Sequence, residues 1–526
     1  MAKNLQNILV VAFSTFGSRL LGLLRDILMM AFLGLSAPAS AFIFAFTVPN
    51  LFRRLLGEGA LSSALIPIFS ESLQKDGKPL AYALANRVLS RALVTLLVLT
   101  VLGMLVFGLG WLLVNQAGMA EQFSADATQW SEGSIMGILL LPYMVLVCLA
   151  ALMGGLLNVL QRFAVHALTA VWLNLAIITA LVIGGWAIGL TGYQLALAIC
   201  LGVLAGGIVQ LIVPILALRR EGWAGRLDFT PHKRLDELWS IFLPALAGAA
   251  VIQVNILVSR LLAFGLNDTG VTELYLANRL VELPLGVFAI AVTTVVFPNL
   301  SLLAAKADRH ALAHVYGEGV RLILAITVPA AVGLLLLAGP VLELLFAWGR
   351  FDAMDVELTT PILMVFAAAL PFYGLATIAT RGFHALKDTR TPVRIAVVSF
   401  VVNLLLSLAL MFPLGTLGLA LANVVSAAVQ AIGLAWLLPR SHKSYAGARY
   451  VAGLVKIIVA ALLMAGVTYA VYAFAGSLAW DAKARAVLAV GVGIPVSALV
   501  YFTTLGLLRF EDRAALVKLL LRMGRG

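Results

Sequence analysis

Charge is what this chain has least of. Asp, Glu, Lys and Arg together make up 11% of its 526 residues, where soluble globular proteins carry about 25%. With 62% hydrophobic residues beside that scarcity, a soluble globular chain is excluded. Cysteine is nearly absent: Cys148 and Cys200 lie in apolar runs without metal-ligand spacing and read as packing residues. The histidines are scattered through loops and span ends, so no Cys/His cluster fits a zinc site. There is no phosphate-cradling Gly-rich loop ending in Lys-Ser/Thr, and no soluble stretch that could house an ATPase. The apolar/polar alternation of an outer-membrane barrel is missing as well. No enzyme constellation, metal or cofactor is therefore expected, and any transport must draw on a gradient or the membrane potential.

What the chain has in abundance is long apolar runs, the mark of a polytopic helical membrane protein. Fourteen spans are predicted: 8–33, 39–73 (interrupted near Gly57), 82–113, 131–158, 164–189, 192–218, 237–264, 272–302, 317–346, 357–383, 393–414, 417–438, 450–475 and 483–508. The net charge of +12 could suggest nucleic acid, but the basic residues sit in short loops between the runs. Topology accounts for them, and no nucleic-acid partner is expected. With the loops assigned alternately, 27 of the 36 lysines and arginines fall on one side, 3 on the other (Arg350, Lys483, Arg485) and 6 inside spans. The positive-inside rule then places both termini in the cytoplasm. The first apolar run passes straight into arginines with no small-residue cleavage site, so no cleavable signal is expected.

An internal repeat runs through the pattern. GALSSALIPIFS (59–70) resembles IAVTTVVFPNLS (290–301) at an offset of 231, and LPY (141–143) and Asn174 match LPF (370–372) and Asn403 at 229. Spans 1–6 and 7–12 thus read as two copies of a six-helix unit, inserted the same way up and related by a pseudo-two-fold along the membrane normal. The expected fold is an all-α integral membrane protein with 14 transmembrane helices. It comprises a first lobe (1–222), a second lobe (223–441) and a C-terminal helix pair (442–526) ending in a basic amphipathic tail. Paired repeats of this kind are typical of transporters that rock one lobe against the other.

The charges inside spans are the candidate site, because an arginine near mid-bilayer costs about 2.5–3.5 kcal/mol on the insertion scale and by default marks a substrate path. At about 1.5 Å per residue, Arg19 lies near mid-membrane, Arg25 about 9 Å further out, Arg53 in the inner half, and Arg279 near the outer start of span 8. Arg19 and Arg25 are about 120° apart on a regular helix. Asp26, seven residues from Arg19, falls on nearly the same face and is its candidate partner. Glu282 lies one turn below Arg279. Arg54 has Glu58 four residues on, and Arg260 near the outer end of span 7 can snorkel out or face inward. Arginine suits bidentate recognition of phosphate and keeps its charge when desolvated. Arg19, Arg25, Arg53 and Arg279 therefore point to an anionic, phosphate-bearing substrate.

GSRLLGLLRD (17–26) and TVPNLFRRLLGEGALSSALIPIFSE (47–71) closely resemble the MurJ (MviN) family of lipid II flippases, in the superfamily of multidrug, oligosaccharidyl-lipid and polysaccharide exporters. ANRLVELPLGV (277–287), WGRFD (348–352) and RGFHALKDTRTP (381–392) extend the resemblance over the whole chain. The resemblance implies a bacterial cytoplasmic-membrane protein that carries lipid II, the undecaprenyl-pyrophosphate-linked peptidoglycan precursor, to the outer leaflet by alternating access. The family's cavity arginines carry over onto Arg19, Arg25, Arg53 and Arg279, and spans 13–14 would accommodate the lipid tail. Membrane lipids and the peptidoglycan synthesis and division machinery are its implied partners. Two departures stand out. Ser40 occupies a place where the family often has a gate aspartate. Spans 7 and 11 offer Asn255, Ser259, Asn403 and Ser407 where some members have sodium-binding acids, so the membrane potential is the expected driver. A different polyprenyl-pyrophosphate cargo, a drug/cation antiporter and a non-transporting scaffold are the alternatives. A drug/cation antiporter would call for an intramembrane carboxylate, against the basic character of the site.

Overall fold

The computed structural model describes residues 2–57, 59–116, 127–286, 290–443 and 451–517. Glu58, Arg449 and the tail from Lys518 onward lie outside them. Among the described residues every regular element is a helix. Ten helical stretches are long and apolar enough to cross a membrane. The chain divides into two compact units, Met1–Thr272 and Glu273–Gly526.

The first unit opens with α1 (Ala2–Leu33) and α2 (Ala37–Phe52), which runs on through a π-helical turn (Arg53–Gly57) toward α3 (Ala60–Lys75). Ser36 starts α2 by accepting the Ala39 N–H on its hydroxyl, satisfying a donor that the first helical turn leaves unpaired. Pro49 inside α2 removes one ladder donor and crowds the preceding turn, and the wider π turn follows directly. Gly59 closes the break: a Cβ there would stand 2.8 Å from the Leu55 carbonyl oxygen. Next come α4 (Gly77–Gln116), α5 (Ala127–Val159), the short α6 (Phe163–Ala167), α7 (Thr169–Leu181, extended by a π turn Val182–Ala187), α8 (Gly192–Arg220) and α9 (Lys233–Phe264).

In lipid the tails are as apolar as leucine, so helices associate through close packing rather than hydrophobic transfer. The α7–α8 contact shows how: Gly202 meets Ala180 and Gly206 meets Ala176, and a Cβ on Gly202 would come within 2.7 Å of the Ala180 methyl. The centre of the unit is α5, mostly buried, against which α2, α3, α4 and α8 pack.

The α8–α9 connection has no helix, yet it is fixed along α4. Trp223 Nε1 donates to Asn86 Oδ1 at 2.8 Å, and Asn86 Nδ2 donates to the Ala224 carbonyl at 2.9 Å. Ser90 accepts the Asp228 N–H at 2.9 Å, while Arg87 and Arg91 hold Thr230 and Phe229. Glu221 pairs with Arg162 at 2.7 Å and Lys78 at 3.5 Å. The hydrogen bond from Arg162 holds the Glu221 carboxyl below the ordinary carboxylate range.

The second unit contains most of α10 (Gly270–Pro284), then α11 (Ile290–Ala305), α12 (Arg309–Leu336), α13 (Ala338–Phe346), α14 (Ala353–Ala368), α15 (Leu370–Ala385), α16 (Arg390–Ser441), α17 (Val451–Ser477), α18 (Ala482–Gly491) and α19 (Gly493–Leu507). The break between α2 and α3 recurs here: α10 ends at Pro284, and α11 begins 230 residues after α3 does (290 against 60). The 52-residue α16 is interrupted at Gly415, whose φ of 59° is left-handed, between the predicted spans 393–414 and 417–438. The acids of the two second-lobe motifs are helix caps. Asp352 accepts the Met354 and Asp355 N–H groups, and Asp388 those of Arg390 and Thr391. The core joins α11, α12, α15, α16, α17 and α19, with Tyr316, Phe383 and Tyr501 among its buried rings. After α19 the chain returns to this core through Phe510 and an Asp512–Arg321 pair, with Nη2 to Oδ1 at 3.0 Å.

Candidate functional site

The charges of the first unit are held by polar neighbours, some on the same helix and some on another. On α1, Arg25 donates through Nε and Nη2 to Asp26 Oδ1, at 3.0 and 2.6 Å. Its Nη1 reaches Asn174 Oδ1 on α7 at 3.2 Å. Asp26 is fully buried. Asp26, which the spacing offers to Arg19, accepts from the adjacent Arg25. Arg19 is half-buried on the same helix.

On α2, Arg53 donates through Nε to Asn50 Oδ1 at 2.8 Å, one turn back at the mouth of the π turn. Arg54 is exposed, and Glu58, its candidate partner, lies outside the described residues. Arg260 does not point away from the bundle: from α9 its guanidinium bonds the buried hydroxyl of Thr47 on α2. One turn further on, Phe264 stacks on Phe44. Moving four residues up α9 for three down α2 is the register of an antiparallel pair. At the other end, Arg234 meets Asp76 at 3.2 Å and Glu71 at 3.8 Å, in the same register. In this alignment Arg53 stands level with Gln253–Asn255. In the first turn of α2, Ser40 shares a hydroxyl–hydroxyl bond of 2.9 Å with Thr272, and both residues are fully buried.

In the second unit, Arg279 lies 3.9 Å from Glu282 on the next turn, and Asn278 donates to the same carboxylate at 3.0 Å. Asn403 accepts from Ser407 at 3.0 Å and donates to Asn423 at 3.2 Å. Among the described residues no group of three His, Cys, Asp or Glu is placed to hold a metal ion. Cys148 and Cys200 are both buried thiols.

The sequence marked the arginines but not what holds them. Thr47 and Asn50 were within sight as the polar residues of TVPNLFRR, three apart on one helical face. Asn174 is the lone amide in the apolar run AVWLNLAIITA, where a polar group must find a partner.

Comparison with known proteins gives concordant results. A family model described as "Lipid II flippase MurJ" matches residues 29–481. A probable lipid II flippase MurJ of Rhizobium meliloti is 32% identical over 501 residues, covering 94% of this chain and 91% of the relative. The lipid II flippase MurJ of Burkholderia cenocepacia is 29% identical over 467 residues, covering 88% and 89%. Among solved structures, a lipid II flippase MurJ in an inward closed conformation superposes with a TM-score of 0.78 at 24% identity, covering 95% of this chain and 98% of that one. A multidrug resistance MATE family transporter in an inward-facing conformation gives 0.65 at 15% identity, covering 82% and 96%. Both share the fold.

Proposed function

The chain belongs to the lipid II flippase MurJ family, and from that premise we propose that it carries lipid II from the inner to the outer leaflet by alternating access, with the diphosphate gripped by Arg19, Arg25, Arg53 and Arg279. The family is one of transporters and not enzymes. The observation that carries the reading is how the charges on α1 and α2 are kept. Arg25 and Arg53 are held by the amides of Asn174 and Asn50, within helices flanked by apolar sequence. Arginines retained at such positions mark a path for an anion.

The grip must also let go. Each charge-assisted contact is worth about 1.5–3 kcal/mol, so four made at once would trap the diphosphate. Arginines at successive levels, engaged partly in sequence, bind and release it. The membrane potential supplies the direction: each negative charge moved outward gains about 2.3 kcal/mol per 100 mV when the inside is negative. Spans 7 and 11 offer Asn255, Ser259, Asn403 and Ser407 without a carboxylate to balance a sodium ion, which favours this driver over a sodium gradient. In this reading the chain crosses the membrane fourteen times in two six-helix lobes plus a pair, with both termini cytoplasmic. The drug/cation antiporter reading is weaker, since Asp26, which could trade a proton for a cation, is committed to Arg25.

The test is depletion of the protein in its cell, scored by lipid-linked precursor on the inner leaflet. Lipid II should accumulate and should clear with the wild-type gene but not with Arg19→Gln. Clearance by Arg19→Gln, or accumulation of a different polyprenyl lipid alone, would overturn the proposal.

A further inference from the structure

Asn174 bridges two points of α1 with one amide. Its Oδ1 accepts from Arg25 Nη1 at 3.2 Å, and its Nδ2 donates to the Ser18 carbonyl oxygen, also at 3.2 Å. Ser18 and Arg25 are seven residues apart, about 10 Å of helix rise. Asp26 takes one edge of the guanidinium and Asn174 the other, so the charge of Arg25 is fixed against α1 from two sides.

We infer that Asn174 is a positioning residue, which tethers the Arg25 guanidinium to a fixed point of α1 so that an anion meets it in one set orientation. The carbonyl of Ser18 is the anchor: it fixes Asn174 and, through Asn174, the reach of Arg25. Asn403, the matching residue of the second repeat, bonds Ser407 and Asn423 within α16.

The inference rests on the proposed role of the arginines, and the experiment separates the two. The full-length chain in nanodiscs is titrated with lipid II, with inorganic pyrophosphate as competitor, for wild type, Arg19→Gln, Arg25→Gln, Asn174→Ala and the Asn174→Ala/Arg25→Gln double variant. Asn174→Ala should weaken binding about tenfold, the order of one hydrogen bond to a charged group. Once Arg25 is gone, the second change should add nothing. A double variant whose loss equals the product of the single losses would show that Asn174 acts independently of Arg25, as a structural residue does, and would overturn the inference. So would wild-type affinity in Asn174→Ala. If Arg19→Gln and Arg25→Gln both bind as wild type, the arginine reading itself fails and takes the inference with it. Should Asn174→Ala not fold, Asn174→Ser carries the same cycle, since it keeps a polar group there, adds no charge beside Arg25 and is too short to bridge Arg25 and Ser18.

Discussion

Phe264, the last residue of α9, lies flat on Phe44 near the start of α2, with ring centroids 4.4 Å apart and planes within 8°. Trp130 meets both rings edge-on, and Gly133 leaves the space that Phe264 fills: a Cβ there would stand 2.7 Å from its ring. The Phe44 end of the α2–α9 seam is thus an aromatic lock, whereas the opposite end of α9 is held to α3 by the solvent-accessible ion pairs of Arg234 with Asp76 and Glu71.

Removing the ring should cost more than removing the ions. Phe264→Ala should destabilise by about 3–5 kcal/mol, Gly133→Ala by about 1–3 kcal/mol through overpacking, and Arg234→Ala by no more than about 1 kcal/mol. Thermal unfolding of the purified chain in one detergent gives the ranking, and equal shifts for Phe264→Ala and Arg234→Ala would contradict it.

The Arg25–Asp26 pair is buried on its acidic side. Asp26→Ala leaves a guanidinium without its carboxylate and should destabilise by about 3–5 kcal/mol. Replacing both residues with leucines should restore much of that stability while abolishing function. The double variant melting below the single one would reject this assignment.

Ser40 and Thr272 test the asymmetry between losing one hydrogen-bond partner and losing both. Ser40→Ala orphans the buried Thr272 hydroxyl and should cost about 1–3 kcal/mol, whereas Ser40→Ala with Thr272→Val should be nearer neutral. Melting temperatures of the three proteins decide the point.

Glu221 makes the α8–α9 connection sensitive to acid. Its carboxyl sits below the ordinary value in the folded chain because Arg162 donates to it. Its contribution is therefore complete above the unfolded value of about 4.3 and is lost as pH falls through the lower folded value. Hydrogen exchange of residues 219–231, corrected for intrinsic rates, should rise only below about pH 4. In Arg162→Ala the rise should begin at higher pH; an unchanged profile would dissociate Glu221 from the connection's order.

Much of the framework was legible in the chain. Apolar runs announced the helices, the interruption near Gly57 announced the break after α2, and the offsets of 231 and 229 announced a repeat. Partners were not legible. The amide of Asn174, far along the chain, reaches Arg25. Arg260 had two routes open to it and takes the inward one, to Thr47. Nor does apolarity say which side is buried: α4 and α5 are about equally apolar, yet α4 is largely exposed and α5 largely buried. In a lipid solvent both faces of a helix are apolar, so the periodicity that separates inside from outside in soluble proteins is weak.

By itself the sequence determined that this is a helical membrane chain built on a repeat, with arginines where lipid would not tolerate them unaided. That follows because helix formation and the cost of a charge in hydrocarbon depend on local composition alone. Only the tertiary structure decided which polar groups hold those arginines. Asn174 is 149 residues from Arg25 and Thr47 is 213 from Arg260, and a hydrogen bond needs a distance and an angle that no spacing along the chain specifies.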